Sequence, residues 1–170
     1  MVVSKRKSGF SLIELVVLIF ILPVLVISAS SYYINLQSQA RISVLENVLG
    51  SIKALNTQVG VMSHLDYVKV RADHSEGSRL QYLDLNRDGV QQEEQGEWDL
   101  IWGYIDNTHM PDALVLDDQL VQFVAGRAEY YVGFDRDGTG SPISGQCWVR
   151  YGQPDFEGDE PVYASNFTGC

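Results

Sequence analysis

Glu14 is the residue whose chemistry most needs explaining. It lies in Phe10-Ser11-Leu12-Ile13-Glu14-Leu15, and from Phe10 to Ile27 only it and Ser11 are polar. At about 1.5 Å per helical residue this stretch reaches roughly 27 Å, close to one hydrocarbon core. An ionised carboxylate there costs about 2.5 kcal/mol or more, so it is normally paired, and an intramembrane charge is a functional hypothesis by default. A second constellation is Asp84-Leu85-Asn86-Arg87-Asp88-Gly89. Asp84, Asn86 and Asp88 carry side-chain oxygens at alternate positions ahead of a turn-forming Gly, the first half of a calcium loop. The second half departs from that pattern: Gln95 stands where a bidentate Glu is expected, and Glu93, Glu94 and Glu97 are out of register. An Asx-stabilised turn that needs no metal fits the same residues, so the cofactor is either calcium or none. Asp135-Arg136-Asp137-Gly138-Thr139-Gly140 is a poorer version of the same cluster.

Other chemistry is sparse. His64, His74 and His109 share no metal-binding spacing, no nucleophile with a base and an orienting group can be picked out, and no enzyme activity is expected. The 2 cysteines, Cys147 and Cys170, lack a Cys-x-x-Cys spacing. In an oxidising compartment they most simply close a C-terminal loop, a disulfide worth about 3 kcal/mol in the chain-entropy treatment; two unpaired thiols are the other reading. Trp98, Trp102 and Trp148 suit a small core or a carbohydrate-stacking platform. A net charge of -10 argues against nucleic acid as a partner.

The elements that must position these groups follow from periodicity. Leu45, Val48, Leu49, Ile52, Leu55 and Val59 recur at helical steps, with Arg41, Glu46, Asn47, Lys53 and Gln58 between them. One unbroken helix is predicted from about Ser11 to Met62, bent at Pro23 and ended by Gly60 and the polar run from His64. Short aromatic and branched runs at 80–85, 99–105, 120–124, 128–134 and 146–151 predict an antiparallel sheet. Its clearest hairpin has Glu129 to Phe134 and Cys147 to Tyr151 as arms.

Lys7-Ser8-Gly9-Phe10-Ser11-Leu12-Ile13-Glu14-Leu15 resembles the leader and cleavage site of type IV prepilins. The resemblance implies removal of residues 1–9, an N-methylated Phe10 as the first mature residue, and a registration role for Glu14. The stretch Ile34 to Leu45, with Asn35-Leu36-Gln37 and Ala40-Arg41-Ile42-Ser43, is similar to pilins of the mannose-sensitive haemagglutinin (MSHA) class. Most of that family has Gly where Pro23 stands and Pro at the position of Ser31.

The implied fold is α+β: a long bent N-terminal helix packed on a small antiparallel sheet, with a C-terminal disulfide-bounded loop. The implied organisation is a leader (1–9), a transmembrane and fibre-core half-helix (10–31), an amphipathic half-helix (32–62) and a globular β domain (63–170). The implied function is a structural subunit of an MSHA-like type IV pilus for surface adhesion or motility. Its partners would be other pilin subunits, a prepilin peptidase and an inner-membrane assembly platform. It would be stored as a single-pass bacterial inner-membrane protein, its N-terminus held inside by Lys5, Arg6 and Lys7, and then placed on the cell surface. A pseudopilin of a type II secretion or uptake machine shares these features. A secreted binding module that never polymerises is a different alternative, with Ser28-Ala29-Ser30-Ser31 as a signal-peptide cleavage region.

Overall fold

The computed structural model describes residues 11–71 and 79–170, in two structural units that divide between Ala40 and Arg41. Helix α1 (Leu12–His64) carries Pro23 inside it. In the first unit its side chains from Leu12 to Ile27 are exposed all round.

The part of α1 in the second unit, from Arg41 onward, is amphipathic as its periodicity predicts. Leu45, Val48, Ile52 and Val59 are buried and Leu49 and Leu55 half-buried, while Glu46 and Lys53 stay wet. The helix ends at His64, where the polar run begins and two residues past the expected Met62, while Gly60 lies inside it. The stop is set at Asp66, whose φ of 65° is left-handed. Tyr67 N–H donates to Met62 O and Asp66 N–H to Ser63 O, the two bonds of a Schellman ending. Asp here takes the place usually held by Gly. Lys69, 2.9 Å away, holds the Asp66 carboxyl below its ordinary range through a hydrogen bond and its charge.

Among the described residues the β structure forms two sheets rather than the single one expected. The first orders β1 (Val68–Val70), β2 (Leu80–Leu83), β3 (Asp99–Ile101) and β4 (Tyr104–Ile105). The second orders β5 (Val121–Ala125), β6 (Glu129–Gly133), β7 (Trp148–Gly152) and β8 (Val162–Asn166), every neighbouring pair antiparallel. Between the sheets lie the Asp106 to Thr108 turn and the short α2 (Met110–Ala113), with Pro111 in its first turn. Polar bonds replace a ladder at this seam. Tyr151 Oη donates to Ile105 O at 2.6 Å, and the buried Asn107 donates its backbone N–H to Gln153 Oε1 and its side-chain amide to Glu129 O.

The predicted β6–β7 hairpin is present, with Tyr131 opposite Arg150 and Gly133 opposite Trp148. Gly133 is required there, because a Cβ would lie 2.3 Å from Cys147 O. Cys147 and Cys170 form the disulfide, with Cα atoms 4.8 Å apart. Arg41 Nη1 donates to Cys170 O at 2.8 Å, tying the disulfide-closed end to the helix. The core joins α1 to both sheets through Ile52, Leu100, Ile105, Tyr130, Val132, Val149 and Tyr151.

Candidate functional site

In the first unit the candidate site is the apolar surface of α1 together with Glu14. None of its best 18-residue apolar window is buried, and by length and composition the helix could cross a membrane or act as a signal. Leu12 is 81% exposed and Ile27 73%. Each such side chain gains about 1.5–3 kcal/mol on full burial, so a continuous surface of them calls for lipid or protein to cover it. Glu14 lies on the first turn. Its Oε2 accepts the Ser11 N–H at 3.0 Å, half of a capping box with Ser11 as N-cap and Glu14 at N3. This local partner was readable in the Ser-x-x-Glu spacing and was missed. Gly9 and Phe10, the expected processing residues, lie outside the described residues.

In the second unit the calcium-like motif folds into a closed loop. Asp84, buried to 1% exposure, accepts Asp88 N–H on Oδ1 and Gly89 N–H on Oδ2, both at 3.1 Å. Asn86 Oδ1 also accepts Asp88 N–H, and Asp88 in turn accepts Val90 N–H and the side-chain amides of Asn86 and Gln92. Glu97, out of register for a calcium loop, closes the far side. Its fully buried carboxylate accepts Leu85 and Asn86 N–H on one oxygen and Gln92 N–H on the other. Charge-assisted bonds to backbone N–H groups are the strong kind, so these carboxylates already have partners that hold the loop. The oxygens of Asp84, Asn86, Asp88 and Glu97 are the set that a calcium ion would have to take over. Arg87 adopts a φ of 62° at the tip and stacks 4.2 Å over the Tyr67 ring. Burial, then the negative charges of Asp84, Glu97 and Asp88, push the Tyr82 hydroxyl behind the loop above its ordinary pKa. The 135–140 cluster repeats the pattern on the surface. Asp135 accepts Thr139 and Gly140 N–H, and hydrogen bonds from Ser144 and Thr139 lower the Asp137 pKa.

The fold also gathers residues that no spacing along the chain links. Glu93, Asp99 and His109 have ligand atoms within 4.8 Å of one another. Asp99, however, accepts Arg71 Nη1 at 2.9 Å on both oxygens and the Gln91 amide at 3.0 Å, so a guanidinium already neutralises it. Trp98 lines a shallow surface pocket with Glu93 at the edge of this group.

A groove of about 670 Å³ runs along the last turns of α1, floored by Asn56 and walled by Trp102, Tyr104 and Tyr163. Asn56 is 3% exposed and fixes its surroundings: its oxygen accepts Ile105 N–H at 3.1 Å and its amide donates to Tyr163 Oη at 3.1 Å. Trp102 and Gly103 are the two loop residues of the β3–β4 hairpin, with φ of 51° and 82°. A two-residue turn with both φ positive favours Asn-Gly. A tryptophan in that first position carries about 1–2 kcal/mol of steric cost. Its indole N–H is buried and meets no acceptor among the described residues. The Trp-Gly dipeptide between two aliphatic runs was the signal for this turn, and reading 99–105 as one strand passed over it.

No family model, no curated protein and no solved structure matches this chain.

Proposed function

We propose that this chain is a structural subunit of a type IV, MSHA-like pilus, cut after Gly9 by a prepilin peptidase and polymerised through α1. One observation carries the reading: an apolar half-helix, exposed on every side, holds one carboxylate a turn from its start. Such a surface suits two successive environments, lipid before assembly and copies of itself afterwards.

The mechanism is an exchange of burial. Leaving the bilayer strips the helix of acyl contacts, and packing against neighbouring helices at a fibre axis restores them. Glu14 supplies the polar part. It is held at the Ser11 N–H, and consecutive backbone nitrogens are about 3.6 Å apart at most. A cleaved Phe10 would therefore bring its α-ammonium within reach of its own Glu14, and a neighbour's ammonium could take over that partnership in the fibre. Pairing offsets part of the cost of a charge in an apolar core, whereas losing one partner leaves a charge buried alone. The proposal includes an inner-membrane precursor, an assembly platform and other pilin subunits as partners, and assigns the chain no catalytic step.

The decisive measurement is the intact mass and N-terminal residue of the protein purified from its native membrane, with and without reductant. A start at N-methylated Phe10 is expected. A start near Ser31 or Tyr32 would mean an ordinary secreted domain and overturn the fibre reading. Surface filaments seen by electron microscopy distinguish a pilus from a periplasmic pseudopilin fibre.

A further inference from the structure

We propose that Glu93, Asp99 and His109 form a binding site for a zinc ion, with Asp99 and His109 as its fixed ligands and Glu93 as the arm that closes on the metal. The site goes beyond the fibre reading and does not rest on it, because all three residues lie in the second unit. One imidazole with two carboxylates is a donor set that suits zinc, whereas calcium takes oxygens alone. The three ligand atoms lie within 4.8 Å of one another. Zinc bonds of about 2.0–2.2 Å hold two ligand atoms at most about 4.4 Å apart, so closure takes roughly half an ångström. Glu93 supplies that movement, since its side chain is 59% exposed while that of His109 is only 14% exposed.

Three features prepare the site for a cation. First, His109 is presented in the metal-binding tautomer. Thr108 Oγ1 donates its one proton to Asp106, so it can only accept from His109 Nδ1, 3.4 Å away. Nε2 then keeps its lone pair and faces Glu93 Oε1 at 4.0 Å, too far for a hydrogen bond and a separation that two zinc bonds can span. Second, Asp99 is oriented by Arg71 Nη1, which donates to both of its oxygens, and by the Gln91 amide. A carboxylate offers about four lone-pair sites, so Asp99 can bind the ion and keep these bonds as the outer support that metal-binding carboxylates ordinarily have. Third, Gln91 Oε1 is buried and has no hydrogen-bond partner among the described residues. Gln91 lines one surface pocket with Arg71 and Glu93, and a zinc-bound water is a donor that would satisfy its oxygen. The local charge also favours a cation: Arg71 offsets one carboxylate, and Glu94 and Asp112 line the adjoining pocket beside Glu93. Zinc held here would join the 93–95 turn to β3 and to the start of α2.

The test titrates the full chain in detergent, stripped with a chelator that is then removed, with zinc chloride by isothermal calorimetry. One equivalent is expected to bind saturably and to raise the melting temperature. His109→Gln is expected to weaken binding by about tenfold or more, since disturbing even an outer partner of a metal site costs about that much. Glu93→Gln, at an exposed position that leaves the fold intact, is expected to weaken it by a similar factor and to abolish the rise in melting temperature. Cobalt(II) in place of zinc supplies a readout that a merely structural His109 would not move: visible absorption bands in the wild type that His109→Gln loses. No saturable zinc binding overturns the proposal. Undiminished binding in either variant also overturns it, because an adventitious ion on another histidine would behave so. If His109→Gln fails to fold, Glu93→Gln decides alone. Displacement of zinc by millimolar calcium would place the ion among the oxygens of the 84–97 loop and overturns the proposal as well.

Discussion

The two ends of α1 are built from similar aliphatic residues and live in opposite environments. Leu12 to Ile27 keep their side chains exposed, whereas Leu45 and Ile52 are at 0% exposure in the core. The difference lies in what separates the apolar positions. Toward the C-terminal end Glu46, Asn47, Lys53 and Gln58 confine them to one stripe, which two sheets can cover. Toward the N-terminal end nothing polar interrupts them after Glu14 until Ser28, so no single sheet could cover the helix. An amphipathic pattern folds within its own chain; an apolar one recruits a solvent or a partner.

The sharpest way to break that comparison is to truncate one residue at each end. Ile52→Ala should cost about 2–5 kcal/mol of the second unit's stability by denaturant titration, as a large-to-small change in a closed core. Ile19→Ala should leave the same transition within about 0.5 kcal/mol. Equal losses would mean that the N-terminal half packs on the rest of the chain. Reduction comes next. Breaking Cys147–Cys170 should remove about 3 kcal/mol and lower the melting temperature, again without affecting the N-terminal half.

Glu97→Gln should cost about 1.5–3 kcal/mol, because three backbone N–H groups lose a charged acceptor. Thermal melts with added calcium sharpen this. The wild type is expected to gain little, its loop being closed by N–H donors, and a rise of several degrees would assign the ion to Asp84, Asn86, Asp88 and Glu97. The smallest effect concerns alkaline pH. Burial raises the Tyr130 and Tyr151 hydroxyls above their ordinary value in the folded state. Their contribution is therefore complete below about pH 10 and falls as the pH rises above it, because the unfolded chain releases those protons first. Tyr151→Phe should cost about 1 kcal/mol at neutral pH through the lost bond to Ile105 O, and should flatten the alkaline decline. An unchanged alkaline limb would exclude Tyr151 as its source.

The parts legible in the sequence were those set by local periodicity or local chemistry. The stripe from Leu45 to Val59, the β6–β7 hairpin and the Cys147–Cys170 pair needed only spacing and composition. What escaped was decided by tertiary partners. β1 has three residues, and β8 is Val-Tyr-Ala-Ser-Asn, too short or too polar to declare itself until β2 or β7 pairs with it. Gly60 is one of two expected helix stops, but the helix continues past it to a Schellman ending at Asp66. In the loop, spacing alone nominated Asp84, Asn86 and Asp88. Glu97 joined them because the chain folds back, which no fixed register encodes.

The order β5-β6-β7-β8 leaves two outer strands, Val-Gln-Phe-Val-Ala and Val-Tyr-Ala-Ser-Asn, without a charge between them. Unprotected strand borders of this kind invite sideways growth of the sheet. The net charge of -10 opposes such growth, and that repulsion fades within about 8 Å at physiological salt. Colloidal behaviour should therefore worsen as ionic strength rises, and light scattering against added salt would show it.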